Sequence, residues 1–282
     1  MSEIRLGIAG MGTVGVGVVK LIADNQADLL SRGGSSMRAV AYSARSSDKD
    51  RGVDLSALDF EADPVALAMR DDVDVFVELI GGEEGSALAS VSAALKAGKV
   101  VVTANKALVA VHGQMLADLV QAHGGKLYYE AAVAGGIPAI KMVREGLAAN
   151  QINSVYGILN GTCNYILTEM EQRELGFDTV LKEAQELGYA EAEPSVDVDG
   201  WDAAHKLAIL ASLCFGDAPS MDALHVSGIR QVTLSHIKMA KELGFKIKLL
   251  GVARAGAAPT VAACAVPIDS SIASVDWPLL LA

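Results

Sequence analysis

Between Gly188 and Lys206 the chain reads Gly-Tyr-Ala-Glu-Ala-Glu-Pro-Ser-Val-Asp-Val-Asp-Gly-Trp-Asp-Ala-Ala-His-Lys, with carboxylates at Glu191, Glu193, Asp197, Asp199 and Asp202. Such a run is either a solvated acidic loop or a place where charge is put to use. Calcium is the first use to weigh, because Ser195, Asp197, Asp199 and Gly200 fall at the first, third, fifth and sixth positions of an EF-hand loop. The twelfth position needs a bidentate glutamate and holds Lys206, a cation that repels calcium, so that reading fails. Asp202 and Lys206 stand four residues apart on an expected helix and meet on one face. Leu207, Ala208, Ile209, Leu210 and Ala211 follow, so this helix is buried on most sides. A surface pair of this kind contributes only about 0.3–0.5 kcal/mol. At the head of a buried helix, desolvation must be offset by a use or by further partners. The residues alone leave a structural and a functional role equally open.

A second constellation is Gly10-Met11-Gly12-Thr13-Val14-Gly15, directly after an apolar run and directly before a helical pattern. In G-x-G-x-x-G, Gly10 permits a tight turn and Gly12 lets the backbone approach a pyrophosphate. Gly15 allows close packing of helix on strand, and the helix N-terminus offers free N–H groups to an anion. The motif alone is weak, and its strand–turn–helix context is what supports a dinucleotide. An acidic residue ends the second strand when NAD is preferred. Here that strand ends Tyr42-Ser43-Ala44-Arg45. Arg45 either faces a 2′-phosphate, which points to NADP or to use of both cofactors, or is a solvated loop charge.

The elements that must position these residues follow from periodicity. Strands are expected at 4–9, 38–43, 74–80, 100–103 and 126–130, with helices from the glycine turn through Ile22, at 88–96 and at 108–123. This alternation means a parallel sheet covered on both faces: a Rossmann-type doubly wound α/β fold. Small residues at 131–138 mark a hinge or crossover. Beyond it, helices are expected at 139–149, 163–173, 179–187 (with Asp178 as N-cap and Gly188 past the end) and 201–215, with strands at 154–159, 246–253 and 260–266. The reading is two domains: 1–132, dinucleotide-binding, and 133–282, a second α+β domain for substrate and dimerisation.

Composition narrows the class. The 282 residues are 51% apolar but only 5% aromatic, which suits helix-on-sheet packing. A net charge of −11 argues against nucleic acid, whose phosphates need clustered Lys and Arg. No apolar run reaches membrane-spanning length and no secretory leader is seen before the first strand, so neither a membrane nor export is expected. Cys163, Cys214 and Cys264 lie far apart, as reduced cytoplasmic thiols do. The five histidines form no metal-ligand spacing, and His205 projects about 100° away from Lys206 around the helix.

Five segments together resemble homoserine dehydrogenase: the Gly10–Gly15 turn, Thr103-Ala104-Asn105-Lys106, the run from Glu130 to Pro138, Asn160-Gly-Thr-Cys-Asn-Tyr-Ile-Leu-Thr168, and Gly188 to Lys206. The resemblance implies interconversion of L-homoserine and L-aspartate 4-semialdehyde with NADP or NAD, in threonine, methionine and isoleucine biosynthesis. It implies that Lys206 is the proton donor, Asp202 its partner and a substrate contact, and Glu191 the carboxylate that holds the substrate. Lys106 is placed at the cofactor–substrate junction, among both the catalytic and the cofactor-binding residues. Thr13 and Val14 match backbone contacts to the cofactor phosphates, Thr103 joins the cofactor set, and Gly188 matches a contact near the nicotinamide. Glu130, with the main-chain oxygens of Val133, Gly135 and Ile137, matches a monovalent cation site, sodium by its oxygen-only ligands. A homodimer built on the second domain's sheet is implied as well.

Two departures stand out. After Ile80-Gly81-Gly82 the family often carries a proline, whereas this chain has Glu83-Glu84-Gly85-Ser86 near the expected nicotinamide position. Family members also continue past the Val266-Pro267 region into a segment that completes the first domain, and longer relatives add a threonine-sensing domain. Neither is expected here, nor is threonine feedback. The missing segment keeps open a dinucleotide-binding homologue with weak or no turnover. A dehydrogenase for another amino-acid-linked substrate is a third reading, because a scaffold does not set its substrate.

Overall fold

The structure, a computed structural model, describes residues 3–275. It divides into two compact units, Met1–Ala132 and Val133–Ala282.

The first unit contains β1 (Glu3–Ala9), α1 (Thr13–Asp24), α2 (Gln26–Gly33), β2 (Ser36–Ser43), β3 (Asp59–Phe60), α3 (Pro64–Met69), β4 (Val75–Glu78), α4 (Ser86–Lys96), β5 (Val100–Thr103), α5 (Lys106–His123) and β6 (Lys126–Tyr128). All of its strands pair in parallel, in the order β3-β2-β1-β4-β5-β6. The order reverses between β1 and β4, and ligands of open α/β sheets sit outside the carboxyl ends of the strands at such a switch point. Alternation along β1 sends Leu6 and Ile8 to the face covered by Val19 and Ile22 of α1. Phe76 of β4 and Val101 of β5 face the opposite side, against Leu67, Val91, Leu95 and Leu108 of α3, α4 and α5. Each such side chain, fully buried, contributes roughly 1.5–3 kcal/mol, so both faces are needed to hold the sheet.

The second unit contains α6 (Ala139–Lys141), β7 (Ser154–Gly157), α7 (Gly161–Arg173), α8 (Phe177–Glu186), α9 (Ser195–Val198), α10 (Trp201–Phe215), β8 (His225–Val226), α11 (Leu234–Glu242), β9 (Phe245–Arg254) and β10 (Thr260–Pro267). Its sheet runs β7-β9-β10-β8, antiparallel except for the β10–β8 pair. Leu207 of α10 and Ile166 of α7, both fully buried, share a core with Leu249 and Val261 of the sheet.

Several expectations need correction. The strand expected over 74–80 ends at Glu78, because the Glu78 carboxylate takes the N–H groups of Ile80 and Gly81 and turns the chain out of the sheet. Similarly, the strand expected over 126–130 stops at Tyr128, and Glu130 opens a 3₁₀ turn instead. The helix expected over 139–149 is three residues of α-helix followed by a wide turn over Met142–Gly146, in which Leu147 N reaches back to Met142 O. Asp178 does not cap α8: the helix begins at Phe177 after Gly176, and Asp178 sits in the first turn, where its charge meets the positive end of the helix. Finally, α2, α3 and α11 arise in stretches that the periodicity left unassigned; α3 is set by Asp63, which accepts from Val65 N, with Pro64 next in the helix.

Candidate active site

In the first unit, the glycine turn shows why each glycine is required. Gly10 has φ +101°, and a Cβ there would lie 2.4 Å from Leu79 O. A Cβ on Gly15 would lie 2.1 Å from Gly10 O, so α1 could not pack against the turn. At Gly12 a Cβ would meet nothing within 4 Å; this glycine opens outward, as close approach by a phosphate requires. Gly12 is also the N-cap of α1 and has no side chain to satisfy the first-turn N–H groups, which include those of Thr13 and Val14. These groups are what an anion would meet. A crevice of about 560 Å³ adjoins the turn, lined among others by Gly10, Gly12, Arg45, Lys49, Arg51 and Ile80. Arg51 braces its wall, donating to the carbonyls of Met11, Ser46 and Lys49.

The opposite rim is built on a residue that sequence reasoning missed. Glu78, fully buried at the end of β4, accepts from Ile80 N at 2.7 Å, Gly81 N at 3.1 Å and the Thr103 hydroxyl at 2.5 Å. The Thr103 oxygen in turn accepts from Asn105 N, so its side chain is committed and any cofactor contact it makes goes through its backbone. Asn105 donates to Gly82 O at 2.6 Å and caps α5 by accepting from Leu108 N, which leaves half-buried Lys106 as the first residue of that helix. The loop departing from the family's proline is tied to α5 through Glu84, whose carboxylate lies 3.1 Å from His112 Nε2. The only sequence signal for Glu78 was a carboxylate ending an otherwise apolar strand.

In the second unit, the sequence pair is present. Lys206 Nζ donates to Asp202 Oδ2 at 2.8 Å and to Leu159 O at 2.8 Å. Their side chains are 17% and 8% exposed, so this is a buried pair at the head of α10. Asn160 joins it from the β7–α7 junction, donating to Asp202 Oδ2 at 2.9 Å and to Asp197 Oδ1 at 2.7 Å. From sequence, Asn160 has no role beyond heading the 160–168 segment and Asp197 none beyond the calcium reading that fails; they lie 42 and 5 residues from Asp202. The turn before α10 is held from the other side. Gly200 has φ +91°, Ile229 N donates to Val198 O at 2.8 Å, and Arg230 pairs with Asp199 at 2.5 Å. Asp197 and Asp202 thus share Asn160 while Asp199 pairs with Arg230, and among the described residues no group of three or more His, Cys, Asp or Glu could hold a metal ion.

Glu191 is exposed on the loop between α8 and α9, where Gln185 holds its backbone carbonyl at 3.0 Å. Gly188, at φ +78°, ends α8 with open space where a Cβ would be. Glu130 lies in the 3₁₀ turn that closes the first unit, and Val133, Gly135 and Ile137 follow in a loop with positive φ at Ala134 and Gly136. Cys163 is fully buried and donates to Asp197 O at 3.1 Å; burial, with Asp197, Asp202 and Asp199 adding, pushes its thiol well up, so it is a packed neutral group.

Strand order, switch point and glycine turn define the first unit as a Rossmann-type dinucleotide-binding domain, a class with many unrelated substrates. Comparison with known proteins narrows the class. The family model "Homoserine dehydrogenase, NAD binding domain" matches residues 10–130, and "Homoserine dehydrogenase" matches residues 138–278. The homoserine dehydrogenase of Neisseria gonorrhoeae is 46% identical over 90% of this chain and 58% of its own length. The crystal structure of a homoserine dehydrogenase from Thiobacillus denitrificans superposes with a TM-score of 0.94 at 43% identity, over 98% of this chain and 64% of that one. A hyperthermophilic archaeal homoserine dehydrogenase, solved in complex with NADPH, gives 0.78 at 25% identity over 99% of this chain and 84% of that one. The chain belongs to the homoserine dehydrogenase family. It spans less than two thirds of the length of the Neisseria and Thiobacillus relatives. A binding-only homologue finds no support in these likenesses.

Proposed function

We propose that the chain interconverts L-homoserine and L-aspartate 4-semialdehyde. The observation that carries this reading is the buried Lys206–Asp202 pair, 2.8 Å apart, in a chain of this family. A nicotinamide dinucleotide bound in the first unit supplies or accepts the hydride. In the reducing direction a C–H bond forms at the aldehyde carbon and the carbonyl electron pair moves to oxygen. Lys206 stabilises that oxygen and gives it a proton. Among the described residues two acceptors meet the Lys206 ammonium, Asp202 and Leu159 O. An ammonium has three hydrogens, which leaves one for the reacting oxygen. Exposed Glu191 is suited to the substrate's α-ammonium, as Lys106 is to the cofactor side.

Arg45 and Lys49 on the crevice wall favour NADP, because both can meet a 2′-phosphate and, among the described residues, no carboxylate lines the wall there. The NADPH bound by the archaeal relative agrees with this choice. Val133, Gly135 and Ile137 sit in a tight turn rich in carbonyls, and with the Glu130 carboxylate they offer only oxygen donors, which fits a hard monovalent cation such as sodium. Pairing of two copies through the second unit's sheet is supported by Tyr156, 66% exposed on the edge strand β7. Among the described residues no helix is long and apolar enough to cross a membrane, and Cys163, Cys214 and Cys264 are free thiols, in keeping with the cytoplasm.

The test is absorbance of reduced nicotinamide with homoserine, then with other hydroxy and amino acids, using NADP and NAD in turn. Homoserine-dependent reduction, faster with NADP, is expected. Cofactor binding without turnover of any substrate would overturn the activity, and faster reduction with NAD would overturn the role of Arg45.

A further inference from the structure

The junction between β7 and α7 grips both members of the lysine–aspartate pair. Leu159 offers its carbonyl to Lys206, and the next residue, Asn160, gives its amide nitrogen to Asp202 and to Asp197. The Asn160 side-chain oxygen accepts from Cys163 N at 2.8 Å and caps α7. Asn160 is 3% exposed. Its orientation follows from its partners, since a backbone N–H can meet only the amide oxygen and two carboxylates can meet only the NH₂.

Capping alone does not require asparagine. Serine, threonine and aspartate cap about as well. Among the strong caps, asparagine alone adds two hydrogens on one planar nitrogen, and here each points at a different carboxylate. On Asp202 Oδ2 the two donors converge: Lys206 at 2.8 Å and Asn160 at 2.9 Å. A flexible lysine cannot by itself hold the carboxylate in one orientation, whereas a donor anchored in a helix cap can.

We propose that Asn160 is a positioning residue for the catalytic pair: its amide fixes the orientation of Asp202, and through it that of the Lys206 ammonium, and ties Asp197 to the same frame. This rests on the reading that Lys206 and Asp202 serve homoserine oxidation. The loss of one such constraint misplaces a reacting group slightly, and small misplacements slow chemistry steeply while leaving binding nearly intact.

The discriminating variant is Asn160→Ser in the full chain, which keeps a capping oxygen and removes the amide. A fall in kcat on the order of 10–100-fold, with the homoserine KM and the melting temperature close to the parent's, is expected. Parent-like kcat would overturn the proposal, as would a fall in kcat accompanied by a raised KM and a lowered melting temperature, which would reduce Asn160 to a cap. A second measurement is independent of turnover: the Asn160 side-chain amide protons, followed by NMR in the parent, in Asp202→Asn and in Asp197→Asn. Each substitution is expected to shift a different one of the two protons, and insensitivity to both would overturn the geometry. If the parent does not oxidise homoserine, the activity reading fails, and the amide protons alone decide whether Asn160 holds the pair.

Discussion

At the scale of the residue, Lys206 must stay aimed inside a mostly apolar helix. It does so because three groups share the cost of removing it from water: Asp202, Leu159 O and, behind Asp202, Asn160. Truncation to alanine leaves the Asp202 carboxylate with the Asn160 donor but takes away its cation, so the variant is expected to be less stable than the parent. On the proposed reading it also loses the proton for the nascent alkoxide. General acid–base groups contribute about 10²–10⁴-fold, and Lys206→Ala is expected to lower kcat by that order while changing KM little, the signature of an interaction made in the transition state. Steady-state kinetics with homoserine as varied substrate would check it. A kcat near the parent's would remove the lysine from the chemistry.

At the scale of the element, some boundaries follow from local pattern and others from distant partners. The strand at 100–103 and the helix at 201–215 were read to the residue, because an apolar run and a stretch flanked by glycines carry their own ends. The end of β4 could not be read, since Glu78 and Thr103 meet across 25 residues of sequence. The candidate site divides the same way: Asp202 and Lys206 show themselves by helical spacing, whereas Asn160 lies 42 residues from the carboxylate it holds. A comparable long-range tie joins β1 to the turn entering β4, where the Arg5 side chain donates to both Asp74 oxygens, at 3.0 and 2.8 Å, and Arg5 N donates to one of them at 2.9 Å. The hydrogen bond from the Arg5 side chain is the main cause that holds the Asp74 carboxyl at about 2. A depressed carboxylate stabilises the fold above its unfolded value, near 4, and loses that contribution as pH falls through about 2. The pair is 35% and 40% exposed, so screening keeps its worth within roughly 1 kcal/mol. Asp74→Asn should therefore lower the urea midpoint at neutral pH, and the gap from the parent should close between about pH 4 and pH 2. A gap unchanged over that range would show that the ionised form is not what matters.

At the scale of the whole molecule, the chain is two units with separate cores, and the glycine turn, Arg45 and the crevice all belong to the first. A ligand that binds only the folded form stabilises it by about 2.7 kcal/mol at a hundred times its dissociation constant. In a chain whose units open independently, that gain falls on the unit that binds. Saturating NADP should thus slow amide hydrogen exchange most in the core of the first unit, at Phe76, Val101 and Leu116, which are fully buried. In the second unit, α10 and β9 should exchange as they do without cofactor. Mass spectrometry of peptides from each unit reads the difference directly. Equal protection of the α10–β9 core and the first sheet would mean that the two units unfold as one cooperative body, and the stability of the lysine–aspartate site would then depend on the occupancy of a crevice in the other unit.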